Sequence, residues 1–387
     1  MKILFFIRSL EIGGSQRQLA MLAGGLAQRG HDVAVAVLYG GNAMEGALAH
    51  AGARVVALNK TGRWDVAAPL WRLRRLFRSE RADAVYSFLT TQTTLAALLL
   101  PPSSATRLVF GVRSAAMELQ NYDTLSGLMF RLEAVLSRRA DLVITNARAG
   151  RADAVARGLP ADRIAVVPNG IDTEAMRPDR RAGHALRAAW GIDDNEFVVG
   201  MVARLDPMKD HATFIAAAAE FLRTHPDARF VCIGDGPPAY REQLEALAHS
   251  RGLEGRIRWT GEMNELRAVY NAFDIATLSS AFGEGFPNVI GEAMACGVPV
   301  VATNVGDTAL VIGDYGEIVP PRRSDLLSAG WTGMRQRLAE DGESLHANVR
   351  TRIVLHYDVN TMVEKSEQVL SALCAGHPGA AIAAQYA

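Results

Sequence analysis

Two carboxylates, Glu284 and Glu292, stand eight positions apart in the stretch SSAFGEGFPNVIGEAMACGVPVVATNVG. Gly285, Pro287 and Gly291 lie between them, and an apolar run from Val298 to Ala302 follows. Proline fits the first turn of a helix but not its interior. Residues 283–287 therefore read as a loop, with a helix opening near Asn288. Gly285 admits unusual backbone angles or a closely approaching ligand. The helix start offers unpaired N–H groups, a seat for an anion. A carboxylate only accepts hydrogen bonds, so Glu284 in the loop and Glu292 one turn inside the helix suit sugar hydroxyls. Taken alone, the pair reads equally well as a surface loop and a partner for the helix dipole.

A second element changes that balance. VVGMVARLDPMKD puts Arg204 just past an apolar run and Lys209 at a helix start, with Asp206 and Pro207 forming the turn between them. Two cations at the carboxyl end of a strand suit a diphosphate; solvated loop charge is the plain alternative. In SLEIGGSQRQLA, Gly13 and Gly14 open a helix and let backbone approach an anion, without the GxGxxG spacing of dinucleotide binders. CIGDGP (Gly234 to Pro237) is a tight loop after another apolar run, and VVPNGID (166–172) carries a further turn. His211, two residues past Lys209, reads as a filler at a helix start.

The elements that must position these groups alternate regularly. Short apolar runs at 3–7, 33–38, 55–58, 84–88, 108–112, 142–145 and 164–167 are separated by helix-length stretches such as 15–28 and 128–138. The scheme repeats, with strands at 198–202, 229–233, 257–259, 275–278, 298–302 and 316–319, and helices at 211–224, 240–250, 265–272, 289–296 and 324–340. Strand and helix in alternation imply parallel sheets covered on both faces. The fold class is α/β, two Rossmann-like doubly wound domains facing across a cleft. Ligands of such sheets collect beyond the carboxyl strand ends. The expected boundaries are 1–170 and 196–355 for the two domains, a joint at 171–195 marked by Pro178, a helix at 356–375 returning to the first domain, and a frayed tail at 376–387.

Composition narrows the partners. The chain has 387 residues and no net charge. Residues 1–177 nevertheless hold 22 Lys/Arg against 14 Asp/Glu, a surplus of eight that the remainder reverses. A basic half calls for an anionic partner. No arginine-rich tail or aromatic-interleaved basic motif supports nucleic acid. Three unpaired-looking cysteines fit a reduced, cytoplasmic setting. MKILFFIRSL has only five apolar residues before Arg8, so it reads as a first strand and not as a signal peptide. PLWRLRRLFRSER (69–81) sets Leu70, Leu73, Leu76 and Phe77 at helical spacing among five arginines. Such a helix would lie on anionic lipid at the inner membrane, or pack its Leu/Phe side on the sheet.

Taken together, these motifs resemble the family 4 retaining nucleotide-sugar glycosyltransferases of the GT-B fold. The resemblance runs from residue 2 to about residue 320 and is most specific in ARLDPMKD and EGFPNVIGEAMACGVPVVAT. It implies catalytic roles for Arg204 and Lys209, on the donor diphosphate, and for Glu284, on the transferred sugar. Glu292 would hold the ribose, and the backbone from Phe286 through Asn288 and Val289 to Ile290 would meet sugar and phosphate. Gly13, Gly14 and Gly234 complete the donor set. Relatives often carry His where this chain has Arg113, and Arg cannot act as a base. Arg113, with Ser15 and Arg17, would instead face the acceptor, or Arg113 would serve structure alone. The implied donor is a nucleoside-diphosphate sugar, used as co-substrate with no further cofactor, and the acceptor is a glycan or polyprenyl-linked sugar. The chain has no Asp-x-Asp, the usual metal–diphosphate ligand pair of the other large glycosyltransferase fold, so no metal is expected. A non-catalytic nucleotide-sugar binder and a sugar-nucleotide epimerase are the alternatives. A nicotinamide dehydrogenase is disfavoured by the absent GxGxxG.

Overall fold

The computed structural model of the chain describes residues 1–11, 13–62, 64–102, 105–113 and 124–387 (backbone alone for 124–126). The chain divides into two compact units, Met1–Gly170 with Val359–Ala387, and Ile171–Asp358. The first unit begins β1 (Lys2–Ile7), α1 (Gly14–Gln28), β2 (Asp32–Val37), α2 (Glu45–His50) and β3 (Arg54–Ala57). It continues α3 (Ala67–Glu80), β4 (Ala84–Phe88), α4 (Thr90–Leu99), β5 (Arg107–Val112), α5 (Thr124–Leu136), β6 (Leu142–Thr145), α6 (Arg148–Ala156) and β7 (Ile164–Val166). The second unit holds α7 (Arg180–Trp190), β8 (Phe197–Val202), α8 (His211–Leu222), β9 (Ala228–Ile233), α9 (Pro238–Ser250), β10 (Ile257–Trp259) and α10 (Leu266–Asn271). It ends with β11 (Ile275–Leu278), α11 (Asn288–Ala295), β12 (Val300–Thr303), α12 (Thr308–Ile312), β13 (Glu317–Val319) and α13 (Ser324–Tyr357). The chain then returns to the first unit with α14 (Val359–Cys374) and α15 (Gly379–Gln385).

Both sheets are parallel throughout, ordered β3-β2-β1-β4-β5-β6-β7 and β10-β9-β8-β11-β12-β13. Alternation along β1 explains the layering of the first. Ile3, Phe5 and Ile7 enter one buried cluster, with residues of α1 and α14, and Leu4 and Phe6 enter another, with Leu73 and Phe77 of α3. In the second unit Trp331 is fully buried, and its indole N–H donates to Thr277 Oγ1 at 2.9 Å. In each sheet the strand order reverses beside its first strand, at β1/β4 and at β8/β11. That reversal opens a crevice beyond the carboxyl ends, where doubly wound sheets hold ligands.

Three expectations change. The joint expected at 171–195 contains α7, capped by Asp179, whose carboxylate accepts from Ala182 N–H at 3.0 Å. Arg187 of α7 donates to Ala272 O at 2.7 Å and pairs with Asp274 at 2.9 Å, which makes the segment part of the second unit. The tail expected to fray forms α15, because Ile382 and Ala383 bury against the sheet and Tyr386 O accepts from Val166 N–H on edge strand β7. The helix expected at 324–340 runs on to Tyr357 through a non-helical Asp341 (φ −133°). Extended Asp358 separates it from α14 and forms a bridge with Ile171.

Candidate active site

At the reversal point of the second sheet β8 and β11 lie side by side, Thr277 beside Met201. The loops leaving their carboxyl ends are sewn together. Ser279 Oγ reaches the carbonyls of Lys209 (2.8 Å) and Asp210 (3.1 Å), and Ala281 N–H donates to Met208 O at 2.8 Å. The Pro207–Lys209 turn is closed on one side by Asp206, which accepts from Met208 N–H at 2.9 Å. On the other side Asp210, in the left-handed region (φ 50°), caps α8 through Thr213 N–H at 3.1 Å and Thr213 Oγ–H at 2.6 Å. A short turn capped at both ends thus fixes where the lysine side chain starts.

Its ammonium meets Glu284 Oε1 at 2.5 Å, and Ser280 Oγ–H donates to the same oxygen at 2.7 Å. The lysine and glutamate side chains retain 15% and 10% of their exposure, so the pair is largely desolvated and each charge depends on the other. The glutamate loop is held from below. Thr303 Oγ–H donates to Ser280 O at 2.7 Å, and Asp307 N–H donates to Gly285 O at 2.9 Å. Gly306 (φ +58°) allows this approach, since a Cβ there would stand 2.5 Å from Glu284 O. Glu292, buried in α11, accepts from Tyr270 O–H at 2.8 Å. Cys296, one turn further on, is a buried thiol pushed up to about 12 by burial and then by Glu292, so it supplies no nucleophile at neutral pH.

The other expected site residues of the second unit differ in burial and in what they touch. The Arg204 side chain is 72% exposed, its guanidinium 3.6 Å from Asp206, on the same loop as Lys209 but outside the buried pair. Gly234 (φ +131°) serves backbone packing, since a Cβ there would lie 2.1 Å from Ala203 O. Its loop braces the Arg204 segment through Leu205 N–H to Asp235 O at 2.9 Å. The side chains of Phe286 and Ile290 belong to the core, Phe286 edge-on to Tyr357 at 5.3 Å. Ile290 N–H donates to Pro287 O at 3.1 Å within the first helical turn. Asn288 and Val289 stay half-exposed at the start of α11. His211, expected to be a filler, is fully buried against Trp259, and neither ring nitrogen has a hydrogen-bond partner among the described residues. Burial, then Lys209, lowers its pKa to about 4, so it is neutral.

In the first unit Arg113 follows β5. Its guanidinium lies 4.1 Å from the centre of the Phe88 ring and donates to Tyr86 O–H at 2.7 Å and to Asn169 Oδ1 at 3.4 Å. Burial presses its pKa below the ordinary value. Gly13, extended, precedes α1, and Gly14, Ser15 and Arg17 lie in its first turns. Gln18, which the sequence reading passed over, is buried and exchanges hydrogen bonds with both backbone groups of Gly170, at 2.8 and 3.0 Å. Ser280 and Tyr270 were likewise passed over. Ser280 lay in the quoted stretch four residues before Glu284, whereas Tyr270 sits 22 positions from the carboxylate it serves.

The family model described as Glycosyl transferases group 1 matches residues 196–332, and that described as Glycosyltransferase Family 4 matches residues 12–175. D-inositol 3-phosphate glycosyltransferase of Rhodococcus jostii (strain RHA1) is 34% identical over 195 residues, 48% of this chain and 42% of that protein. The Corynebacterium glutamicum (strain R) protein of the same name is 33% identical over 216 residues, 54% of this chain and 47% of that protein. The chain spans less than half the length of the curated relatives it matches. Among solved structures, Anabaena Alr3699/HepE in complex with UDP-glucose superposes with a TM-score of 0.83 at 23% identity, covering 96% of this chain and all of that one. WaaG, a glycosyltransferase involved in lipopolysaccharide biosynthesis, gives 0.72 at 18% identity, covering 95% of this chain and 99% of that one. Both neighbours share the fold, two Rossmann-like units in one chain. With a glycosyltransferase model on each unit and the GT-B architecture throughout, the chain belongs to the family 4 glycosyltransferases of the GT-B fold.

Proposed function

We propose that the protein transfers a hexose or N-acetylhexosamine from a nucleoside-diphosphate sugar to a glycan or polyprenyl-linked acceptor, with retention at the anomeric carbon and without a metal. The observation that carries this reading is the desolvated Lys209–Glu284–Ser280 cluster at the reversal point of the second sheet. The inositol-phosphate glycosyltransferase relatives and the UDP-glucose complex of the Anabaena protein support a nucleotide-sugar donor. The basic first unit supports an anionic acceptor, in bacterial surface-polysaccharide assembly at the cytoplasmic face of an anionic membrane.

In this reading the bond from the anomeric carbon to the diphosphate oxygen breaks, and its electron pair stays on that oxygen. Lys209 faces the charge that grows there, and Arg204 swings from solvent to the outer phosphate. Glu284 accepts from the sugar hydroxyls, and Glu292, oriented by Tyr270, accepts from the ribose. The acceptor oxygen bonds to the same carbon from the face the diphosphate leaves, and its proton passes to the departing phosphate oxygen. No protein nucleophile is needed. The test is a thermal-shift and calorimetric panel of UDP, GDP, ADP and their glucose derivatives, followed by transfer assays with the donor that binds. One nucleoside diphosphate should raise the melting temperature and support transfer. Absence of any shift across the panel overturns the reading.

A further inference from the structure

The outer layer of the first unit carries a feature that sugar transfer does not use. α3 buries Pro69, packs Leu73 and Phe77 into the sheet-side cluster, and leaves Leu70 and Leu76 half-buried. The leucine stripe that the sequence offered to lipid is therefore taken. Other apolar groups face outward instead. Trp64 is 89% exposed and Trp71 61% exposed, with Val66 exposed between them in sequence. Along the same helix and at its end Arg74, Arg75, Arg78 and Arg81 are exposed, and none of them has an ion pair among the described residues. Arg75 lies 5.6 Å from the centre of the Trp71 ring.

The nearby acids are engaged elsewhere. Glu80 takes Lys2 at 2.9 Å and Arg54 at 3.0 Å, and Asp65 accepts from Thr61 N–H at 3.1 Å. Arg72 differs from the four, since it donates to Leu58 O at 2.8 Å and is held to the unit. Two exposed indoles, Trp64 shortly before α3 and Trp71 on it, thus share one exposed segment with four guanidinium groups that have no ion pair among the described residues. Indoles favour the boundary between headgroups and acyl chains, while guanidinium groups on long stems reach phosphate. No helix among the described residues is long and apolar enough to cross a membrane, so such contact would be peripheral.

We propose that Trp64, Val66 and Trp71, with Arg74, Arg75, Arg78 and Arg81, dock the first unit on an anionic phospholipid surface, indoles at the acyl boundary and guanidinium groups on lipid phosphates. The inference deepens the reading of a membrane-held acceptor by naming the surface. It requires neither donor nor acceptor to be bound. Failure of transfer in a Lys209 variant therefore leaves it standing, and failure of docking leaves the transfer reading standing.

The experiment is co-sedimentation of the whole chain with phosphatidylglycerol/phosphatidylcholine vesicles and with phosphatidylcholine vesicles. Binding should require phosphatidylglycerol and weaken as salt rises from about 50 mM to about 500 mM. Trp64→Ala/Trp71→Ala, and separately Arg74→Gln/Arg75→Gln/Arg78→Gln/Arg81→Gln, should each cut binding by about tenfold or more. Both variants should keep wild-type melting temperature and nucleotide binding. Brominated acyl chains should quench part of the indole fluorescence, and Trp64→Phe/Trp71→Phe should remove that part, since Trp190 and Trp331 are buried and Trp259 is half-buried in the second unit. Absence of binding at low salt, or equal binding by both variants, overturns the proposal. A lipid-free oligomer that the same variants dissolve, with no vesicle binding, overturns it in favour of a second copy of the chain.

Discussion

The two units share one strand order over six strands, to which the first adds β7, but differ in charge and in what they bury. The first carries 22 Lys/Arg against 14 Asp/Glu and the second 19 against 27. At the reversal point of the second sheet a cation and a carboxylate meet within 2.5 Å, desolvated and braced by Ser280. The first holds a half-buried cation, Arg113, against neutral groups, the Phe88 ring, Tyr86 and Asn169. Its outer surface exposes Trp64 and Trp71, whereas Trp190 and Trp331 of the second are buried. One architecture thus supports two electrostatic settings. A paired site keeps both charges compensated within the fold, and in the proposed reading its lysine re-pairs with the donor diphosphate. A guanidinium with no carboxylate beside it among the described residues favours an incoming anion.

The largest expected effect tests the paired site. Lys209→Ala should lower transfer by about two to three powers of ten, the loss typical of one electrostatic stabiliser. Because the variant strands Glu284 in a largely buried place, Lys209→Gln/Glu284→Gln should recover thermal stability but not transfer. Recovery of transfer in the double variant would falsify the assignment of the pair to chemistry.

Next in size is the pH response of His211, which only the second unit carries beside its site. Its pKa is lowered to about 4 in the folded chain and is ordinary, near 6.5, when unfolded. The unfolded chain therefore binds the proton first. The contribution to stability is complete above about pH 6.5 and is lost as pH falls towards 4, on the order of 3 kcal/mol in all. Denaturant unfolding of wild type and His211→Gln between those limits should diverge by that order. Parallel curves would show that the imidazole titrates normally.

A smaller effect separates the units directly. Losing a hydrogen bond to a charged group costs about 1.5–3 kcal/mol, so Glu292→Ala should weaken nucleoside-diphosphate binding roughly ten- to hundredfold. Arg113→Gln should leave that binding within about threefold while impairing transfer to the acceptor, since its guanidinium meets Tyr86, Phe88 and Asn169 of the first unit. Calorimetry that finds the reverse pattern would reassign donor and acceptor between the units. The smallest effect is the response to chelation. With lysine stabilising the leaving group, transfer in excess EDTA should stay within about twofold of the untreated rate. Loss of transfer that magnesium restores would show that the Lys209 cluster does not act alone.

Much of the architecture was legible in order along the chain. All the expected strands are present, most within one residue of their bounds, because apolar runs buried on both faces leave an unambiguous local signal. The joint and the tail misled for the same kind of reason. Pro178 and Gly170 are loop signals, yet Arg187 finds Ala272 and Asp274 far along the chain, and a terminus of small residues with little to fold around found an edge strand to close.

The site divides in the same way. Glu284, Glu292, Arg204 and Lys209 could be singled out because residue type and spacing carry their chemistry, and Pro287 fixes where α11 starts. That Lys209 and Glu284 touch, 75 positions apart, while Arg204 stands in solvent, was settled by the adjacency of β8 and β11 and by the Ser279 hydroxyl that ties their loops. The helical spacing in α3 was equally clear, but which of its apolar residues face the sheet was not. A stripe with leucines and tryptophans at neighbouring angles can be turned either way at little local cost. The neighbouring strands and α4 chose Leu73 and Phe77, and left Trp71 outside. Sequence determines the period and the chemical groups; the choice of partners across long separations belongs to tertiary packing, where each buried group must find its complement at once.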